Sequence, residues 1–214
     1  MEPPPTDQRA YWNRVADAKT FHHPLDARWL PADLGRNSPI LDVGCGYGRL
    51  VSALRTEGFG NVVGVDTSAA MVARGLARDP ALDLRVVAPG PLPFADGGFA
   101  AAILFSVLTC IPNDAAAEAL VGELRRVLRP GGHVLVSDLS LQSDERNRTR
   151  YAAADGLGGS GVFTLPEGVV LRHFERSAAL RLFADFQVVR WVDFDVVTMN
   201  GNAAKAFRFL ARAT

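Results

Sequence analysis

A short apolar run leads directly into three glycines at alternate positions, in the stretch LDVGCGYG at residues 41–48. The run is typical of a buried strand, and the stretch GRLVSALRTEG that follows indicates a helix ended by Gly58 and Gly60. Glycine reaches backbone conformations that other residues avoid, but each glycine costs conformational entropy on folding. The stretch therefore predicts a tight strand-to-helix turn at which a ligand can approach the backbone.

The glycine spacing helps to distinguish between the classes of ligand that such a turn can bind. A phosphate-binding loop of the G-x-x-x-x-G-K-[ST] type needs a lysine, and no lysine follows these glycines. A dinucleotide fingerprint has glycines at its first, third and sixth positions. Gly44 and Gly46 fit the first two, but the sixth is Arg49. A ligand without a phosphate remains, and so does a turn that holds no ligand.

Strand and helix patterns alternate between residues 39 and 139. Apolar runs separated by helical patterns predict a parallel sheet that is covered by helices on both faces. The clearest helix begins at Asn113 or Asp114, carries an apolar stripe and ends before Pro130. The five predicted strands are 39–43, 61–66, 84–88, 99–105 and 133–139.

The two ends of the chain follow different patterns. The sequence predicts disorder over residues 1–8 and an aromatic helix over 10–21. Beyond residue 140 the alternation stops. The predicted elements there are a polar helix or loop at 143–151, a hairpin at 161–174, a helix at 177–186, and strands at 187–197 and 204–213.

The composition bounds the partners of the chain. Its 214 residues carry no net charge, which weakens the case for nucleic acid or an acidic membrane surface as a partner. Cys45 and Cys110 have neither metal-ligand nor disulfide spacing. We find no signal-peptide pattern and no apolar run of about 18 residues. We expect a soluble cytoplasmic protein without a metal ion, as a monomer or a homodimer.

Four ordered motifs lie between residues 37 and 140. They are LDVGCGYG at 41–48, Asp66 at the end of the second predicted strand, LPFADGGFA at 92–100 and LRRVLRPGGHVLVSD at 124–138. Together they resemble the motifs of class I S-adenosylmethionine-dependent methyltransferases. The resemblance implies a single-domain, Rossmann-like α/β fold with a doubly wound sheet of seven strands, the last antiparallel. It also implies S-adenosylmethionine as cofactor and S-adenosylhomocysteine as product.

The resemblance implies roles for residues beside the glycine turn. Asp66 is expected to accept both ribose hydroxyls, with the N-cap of the next helix as the alternative role. Asp42 is expected near the ammonium group, and Met71 near adenine, where a plain core methionine is the alternative. The other expected cofactor contacts are Tyr11, Gly44, Cys45, Gly46, Thr67, Leu92 and Ser106.

Two departures from the family pattern concern adenine. The stretch VVAPGP at residues 86–91 has no acid where the family has an aspartate that accepts from the adenine amino group. The aspartate that usually follows the phenylalanine opening the fourth strand is replaced by Ala100. Adenine is therefore expected to rest on backbone groups near residues 88–90 and on Met71 and Leu92.

The acceptor is expected between an N-terminal helical lid, residues 1–36, and an insert at about 140–176 in a cofactor-binding domain of residues 37–214. Residues 106–110 are expected to line the cleft. His173 is the candidate base because histidine titrates near neutral pH, and a surface or core histidine is the alternative. The other candidate acceptor contacts are His22, Arg150, Tyr151 and Asn200, and His22 and His23 are second choices for the base.

These expectations define a methyltransferase that acts on a small-molecule acceptor, with a specialised metabolite as one expected class. Two alternatives keep the fold and the cofactor: a non-methylating, cyclase-like enzyme, and a cofactor-binding protein without turnover. Cofactor that is left unconsumed with the true substrate would indicate the first alternative. Poor adenine contacts would favour the second.

Overall fold

The computed structural model describes residues 8–154 and 159–214, so the disorder predicted for residues 1–8 falls almost wholly outside the described residues. The strands are β1 Ile40–Val43, β2 Val62–Asp66, β3 Asp83–Val86, β4 Phe99–Phe105, β5 Leu128–Leu139, β6 Val162–Thr164, β7 Val170–Arg172, β8 Phe186–Val197 and β9 Ala203–Ala213. The helices are α1 Arg9–Val15, α2 Arg49–Thr56, α3 Ala69–Arg78, α4 Asp114–Val127, α5 Glu145–Ala153 and α6 Arg176–Leu182.

Seven of these strands form one mixed sheet in the order β3-β2-β1-β4-β5-β9-β8. Strands β1 to β5 pair in parallel, and β9 runs antiparallel to both β5 and β8. The predicted hairpin is present as a separate antiparallel ribbon of β6 and β7. A seven-stranded α/β sheet with its last strand antiparallel confirms the predicted fold class.

The strands at the centre of the sheet are buried on both faces. Every residue of β1 and of β4 is buried. Successive side chains of a strand point to opposite faces, so Ala102 and Leu104 join one core cluster while Ile103 and Phe105 join the other. A continuous apolar run such as FAAAILF is what a strand covered on both sides requires.

Side-chain caps begin α3, α4 and α5. Ser68 accepts a hydrogen bond from the Met71 amide at 3.3 Å and begins α3, so the alternative role of Asp66 as the N-cap is wrong. Asn113 accepts from the Ala116 amide at 3.0 Å and begins α4. Within the described ranges, no helix is both long enough and apolar enough to cross a membrane.

The first helix is shorter than the aromatic pattern predicts. α1 ends at Val15, whereas the pattern predicts a helix over 10–21. Arg74 of α3 donates to the carbonyls of Ala16 and Lys19, at 2.5 and 2.7 Å. Because a distant side chain takes these carbonyls, the chain can turn there without leaving them unpaired.

The segment before β1 is tied to the β6–β7 hairpin. The Gln8 side-chain amide donates to the Val170 carbonyl and accepts from the Val170 amide, at 2.8 Å each. It also donates to the carbonyl of Cys110, which follows β4, at 3.0 Å. The N-terminal segment and the hairpin therefore lie together over the carboxyl end of β4.

Candidate active site

The glycine turn lies at the carboxyl end of β1, between β2 and β4. Gly44, Gly46 and Gly48 have φ values of 69°, 55° and 76°, in the left-handed region. A Cβ at Gly44 would lie 2.4 Å from a methyl carbon of Val107, and a Cβ at Gly48 would lie 2.7 Å from Leu84. The turn needs glycine for backbone conformation and for packing. Ligands of open α/β sheets bind in the crevice at such a switch in strand order.

Asp66 joins the glycine turn to the next strand-to-helix turn. One carboxylate oxygen accepts from the Gly46 amide at 2.8 Å, and the other accepts from the Ser68 amide at 2.7 Å. Burial raises the pKa of Asp66, while these amides and that of the half-buried Thr67 oppose the shift. A carboxylate oxygen can accept more than one hydrogen bond, so Asp66 retains capacity for ribose hydroxyls.

Asp42, the other acid of the turn, is buried and incompletely paired. It is 1% exposed, and its Oδ2 has no hydrogen-bond partner among the described residues. Burial raises the pKa of Asp42 to about 8, although the positive charge of Arg49 opposes the shift. A buried polar atom without a partner costs free energy, so this oxygen marks the place of a missing donor.

Three other predicted cofactor contacts have largely apolar surroundings. Cys45 is buried, and its side chain packs where a Cβ on Gly64 of β2 would clash. Met71 is 2% exposed and belongs to a small cluster with Tyr47. Leu92 belongs to a main core cluster, and its amide donates to the Glu123 carboxylate at 2.7 Å. Contact of these residues with a cofactor stays a prediction.

The stretch that lacks the family's adenine-binding acid is open. Residues 86–91 are exposed apart from the half-buried Val87. Val87 donates its amide to the Asp66 carbonyl at 3.0 Å, which ties the start of the stretch to β2. Gly90 has a φ of 119°, with no atom within 4 Å of a Cβ built there. The predicted use of backbone groups near 88–90 for adenine is not tested by these contacts.

A cavity of about 100 Å³ lies over the carboxyl end of β4. It is lined by the segment before β1, the turn after β4, α5, the β6–β7 hairpin, and the turn between β8 and β9. The cavity brings together six of the predicted residues, namely His22, His23, Ser106, Arg150, His173 and Asn200.

A hydrogen-bonded chain runs from this cavity into the sheet. Ser106 Oγ lies 3.0 Å from His23 Nδ1, and His23 Nε2 lies 2.8 Å from Ser137 Oγ. Ser137 donates to the Phe207 carbonyl at 3.1 Å, which leaves His23 to donate from Nε2 and to accept from Ser106 at Nδ1. Burial, with Arg208 and another arginine, lowers the pKa of His23 to about 3 and keeps the ring neutral.

Ser106 has an unusual backbone at this point. Its φ is 56°, a left-handed value that no other non-glycine residue of the described chain adopts. Such strain costs about 1–3 kcal/mol and persists where the surroundings hold it. The hydroxyl of Ser106 donates to His23, so its lone pairs remain for a ligand in the cavity.

His173 is also held by a neighbour. Tyr151 accepts from the Gln142 amide at 3.1 Å, and its hydroxyl lies 2.7 Å from His173 Nδ1, although Tyr151 itself does not line the cavity. Burial lowers the pKa of His173 to about 4, and the charges of Arg150 and Arg146 add to this effect. Nδ1 of His173 is thus engaged by Tyr151, and the role of His173 as a base stays a prediction.

Thr109 was not singled out by the sequence, although it lies within the stretch expected to line the cleft. Its Oγ1 is buried without a partner in the described structure, and the residue lines the cavity. Asp138 of β5 accepts from the Thr109 amide at 3.1 Å and holds the turn in place. Burial raises the pKa of Asp138 to about 7. Ser137 was also missed, since nothing local distinguishes a serine in a buried strand.

Two candidate residues and one arginine of the insert form contacts outside the cavity. Tyr11 packs in the apolar cluster under the hairpin, and its hydroxyl is buried without a partner among the described residues. Asn200 accepts from Lys19 Nζ at 2.6 Å. Arg172 of the insert forms an ion pair with Asp114 of α4 and does not line the cavity.

Known proteins resemble this chain in sequence and in structure. The sequence model of a family described as a methyltransferase domain matches residues 41–136. Demethylmenaquinone methyltransferase from Beutenbergia cavernae is 40% identical over 104 residues, which are 47% of this chain and 40% of that enzyme. Ubiquinone biosynthesis O-methyltransferase from Pseudomonas aeruginosa is 28% identical over 138 residues, which are 61% of this chain and 58% of that enzyme. The chain thus spans about half the length of these curated relatives.

The fold is shared with a crystal structure described as a SAM-dependent methyltransferase from Methanosarcina mazei. The TM-score is 0.79 at 23% identity, over 91% of this chain and 99% of that chain. The methyltransferase-domain match over residues 41–136, the methyltransferase relatives and the shared fold support a class I S-adenosylmethionine-dependent methyltransferase. The cofactor of this family is S-adenosylmethionine, whose ammonium group fits the unpartnered oxygen of Asp42.

Proposed function

We propose that the chain transfers a methyl group from S-adenosylmethionine to a small-molecule acceptor bound in the cavity over β4. The observation that most directly supports cofactor binding is the oxygen of Asp42 at the glycine turn, which is buried and has no hydrogen-bond partner among the described residues. The cavity lies at the same edge of the sheet and combines apolar walls with a few polar groups, as ligand sites commonly do.

The names of two curated relatives support a small-molecule acceptor. Demethylmenaquinone methyltransferase and ubiquinone biosynthesis O-methyltransferase are both named for quinones, which are not macromolecules. The acceptor that we propose for this chain is likewise a small molecule, with specialised metabolites as the first compounds to screen.

The bound cofactor supplies a methyl group on a positively charged sulfur. The chain itself binds the cofactor, orients the cofactor and the acceptor, and excludes water. Asp42 would hold the ammonium group, and Asp66 would hold the ribose hydroxyls. A dry cavity also favours loss of the positive charge during transfer.

Ser106 orients the acceptor in this proposal. Because its hydroxyl donates to the neutral His23, its oxygen can accept a hydrogen bond from an acceptor hydroxyl or amino group. This fixes the direction of the acceptor lone pair, which positions the nucleophile without a covalent role for the serine. His173 remains our candidate base, with the Tyr151 hydroxyl 2.7 Å from its Nδ1.

The segment before β1 serves as a lid in this proposal. Trp12, Phe21, His22 and His23 from this segment line the cavity. Gln8 ties the same segment to the hairpin on the opposite wall. The lid would exclude water from the acceptor and the methyl group.

The test is turnover with methyl-labelled S-adenosylmethionine and a panel of small hydroxyl, amino and thiol compounds, read by mass spectrometry. Labelled product together with S-adenosylhomocysteine would support methyl transfer, and Asp42→Asn should reduce it at least about tenfold. An acceptor that is converted without release of S-adenosylhomocysteine would contradict methyl transfer and indicate the cyclase-like alternative. Tight cofactor binding without turnover of any compound would contradict the proposal in favour of a binding protein.

A further inference from the structure

Two arginines of α5 face the acceptor cavity. Arg146 and Arg150 are four residues apart, on one face of the helix, and both line the cavity. The described lining also contains three histidines but neither aspartate nor glutamate. The charge that faces the cavity is therefore positive.

The guanidinium groups of these arginines are sparsely used. Arg146 Nε lies 3.8 Å from Asp144, which is occupied as the N-cap of α5 by Asn147, at 3.2 Å for the amide and 2.6 Å for the side chain. Among the described residues, Arg150 donates a long hydrogen bond of 3.4 Å to Asn147, and its guanidinium lies 5.7 Å from the Phe163 ring centroid. In the described parts of the chain, Arg150 forms no ion pair.

The charges of Arg146 and Arg150 lower the pKa of the neighbouring His173. After burial, Arg150 and Arg146 are the next largest causes that lower the pKa of His173, and Asp144 opposes them only weakly. An anion between the arginines would relieve this repulsion. The fork of a guanidinium matches the two oxygens of a carboxylate and can bind them in parallel.

The remaining walls of the cavity favour a ligand with a small apolar or aromatic body. Phe163, Leu165 and Leu171 of the hairpin give the cavity an apolar wall, and its volume of about 100 Å³ suits a single ring. Ser106 and Thr109 place hydroxyl groups on the side of β4.

We infer that the methyl acceptor carries a carboxylate, which Arg146 and Arg150 bind, on a small apolar or aromatic body. This inference rests on the proposed function only in naming the ligand as the acceptor. Binding of the carboxylate itself requires no turnover.

The experiment compares benzoate with its neutral counterpart benzamide by calorimetry on the full chain saturated with S-adenosylhomocysteine. We expect benzoate to bind at least about tenfold more tightly than benzamide. The double variant Arg146→Gln/Arg150→Gln should remove this preference. Arg148→Gln is the matched control, because Arg148 is exposed on the same helix and does not line the cavity.

The following results decide the inference and its relation to the proposed function. Benzoate and benzamide binding equally, or Arg148→Gln losing the preference as fully as the double variant, would overturn it. The S-adenosylhomocysteine affinity of each variant, measured alongside, shows that the fold and the cofactor site are intact. If the cofactor binds but charge makes no difference, the inference fails and the proposed function stands. If benzoate is preferred but no S-adenosylhomocysteine binds, carboxylate binding is supported and the proposed function fails.

Discussion

The two carboxylates of the glycine turn differ in how their oxygens are used. Each oxygen of Asp66 accepts a backbone amide, so this side chain helps to build the turn even without a ligand. Oδ2 of Asp42 is buried without a partner in the described structure. Asp66 therefore stabilises the turn, whereas the unpartnered oxygen of Asp42 costs free energy unless a donor binds it.

Asp42 leads to a prediction about protons. Burial raises its pKa to about 8, so the free chain holds a proton on this carboxyl at pH 7. An adjacent ammonium group favours the charged carboxylate and lowers the pKa. We expect S-adenosylhomocysteine binding at pH 7 to release up to about one proton, measured by calorimetry in buffers of different ionisation enthalpy. Asp42→Asn should release none, and equal heats for the wild type in all buffers would contradict the assignment.

The raised pKa of Asp42 also makes the stability of the fold depend on pH. Because the folded-state pKa of Asp42 lies above its usual range, the folded free chain binds more protons than the unfolded chain between about pH 4 and pH 8. The contribution of Asp42 to stability therefore falls as the pH rises through this window. Asp138 acts in the same direction, since burial raises its pKa to about 7.

Gly44 leads to a prediction about folding. Gly44→Ala would force alanine into a left-handed backbone and place its Cβ 2.4 Å from a Val107 methyl carbon. We expect a loss of about 2–4 kcal/mol in the free energy of unfolding, measured by urea denaturation. Gly122→Ala is the control, because its Cβ meets no atom within 4 Å on helix α4 and alanine favours a helix. An equal loss in both variants would contradict this account of the turn.

The elements could be predicted where local pattern and tertiary structure agree. The run FAAAILF gave β4 with the bounds Phe99–Phe105 because a strand covered on both faces must be apolar throughout. α1 was predicted too long because the partner of its last carbonyls is Arg74, which is distant in sequence. The chain from Ser106 through His23 to Ser137 joins residues 83 and 114 positions apart, so no local pattern could reveal it.

The N-terminal segment leads to a prediction at this scale. Arg74→Ala removes the donors to the Ala16 and Lys19 carbonyls and should loosen the segment that covers the cavity. We expect faster hydrogen exchange at the amides of residues 9–23, with little change in the sheet. Arg78→Ala is the control, because Arg78 is exposed and lies over the same Tyr47 ring as Arg74 but makes no described hydrogen bond to the segment. Unchanged exchange in the Arg74 variant would show that other contacts hold the segment.

In the whole molecule, the cofactor site could be predicted from the sequence better than the acceptor cavity. The family match covers residues 41–136, which include β1 to β4 and the glycine turn. Motifs with fixed spacing made this cofactor half readable from the sequence. The cavity is instead assembled from separate segments, most of them outside the match, so the meeting of Arg146, Arg150 and Ser106 at one cavity needed the tertiary structure.

The central claim is that the glycine turn and Asp66 bind the family's cofactor, and calorimetry with S-adenosylhomocysteine tests it most directly. We predict binding to the wild type and none of NADH, with Asp66→Ala weakening S-adenosylhomocysteine binding at least about tenfold. Asp83→Ala is the control, since Asp83 is an exposed acid on β3 that pairs only with Arg85. Absence of S-adenosylhomocysteine binding, or equal losses in the two variants, would contradict the claim.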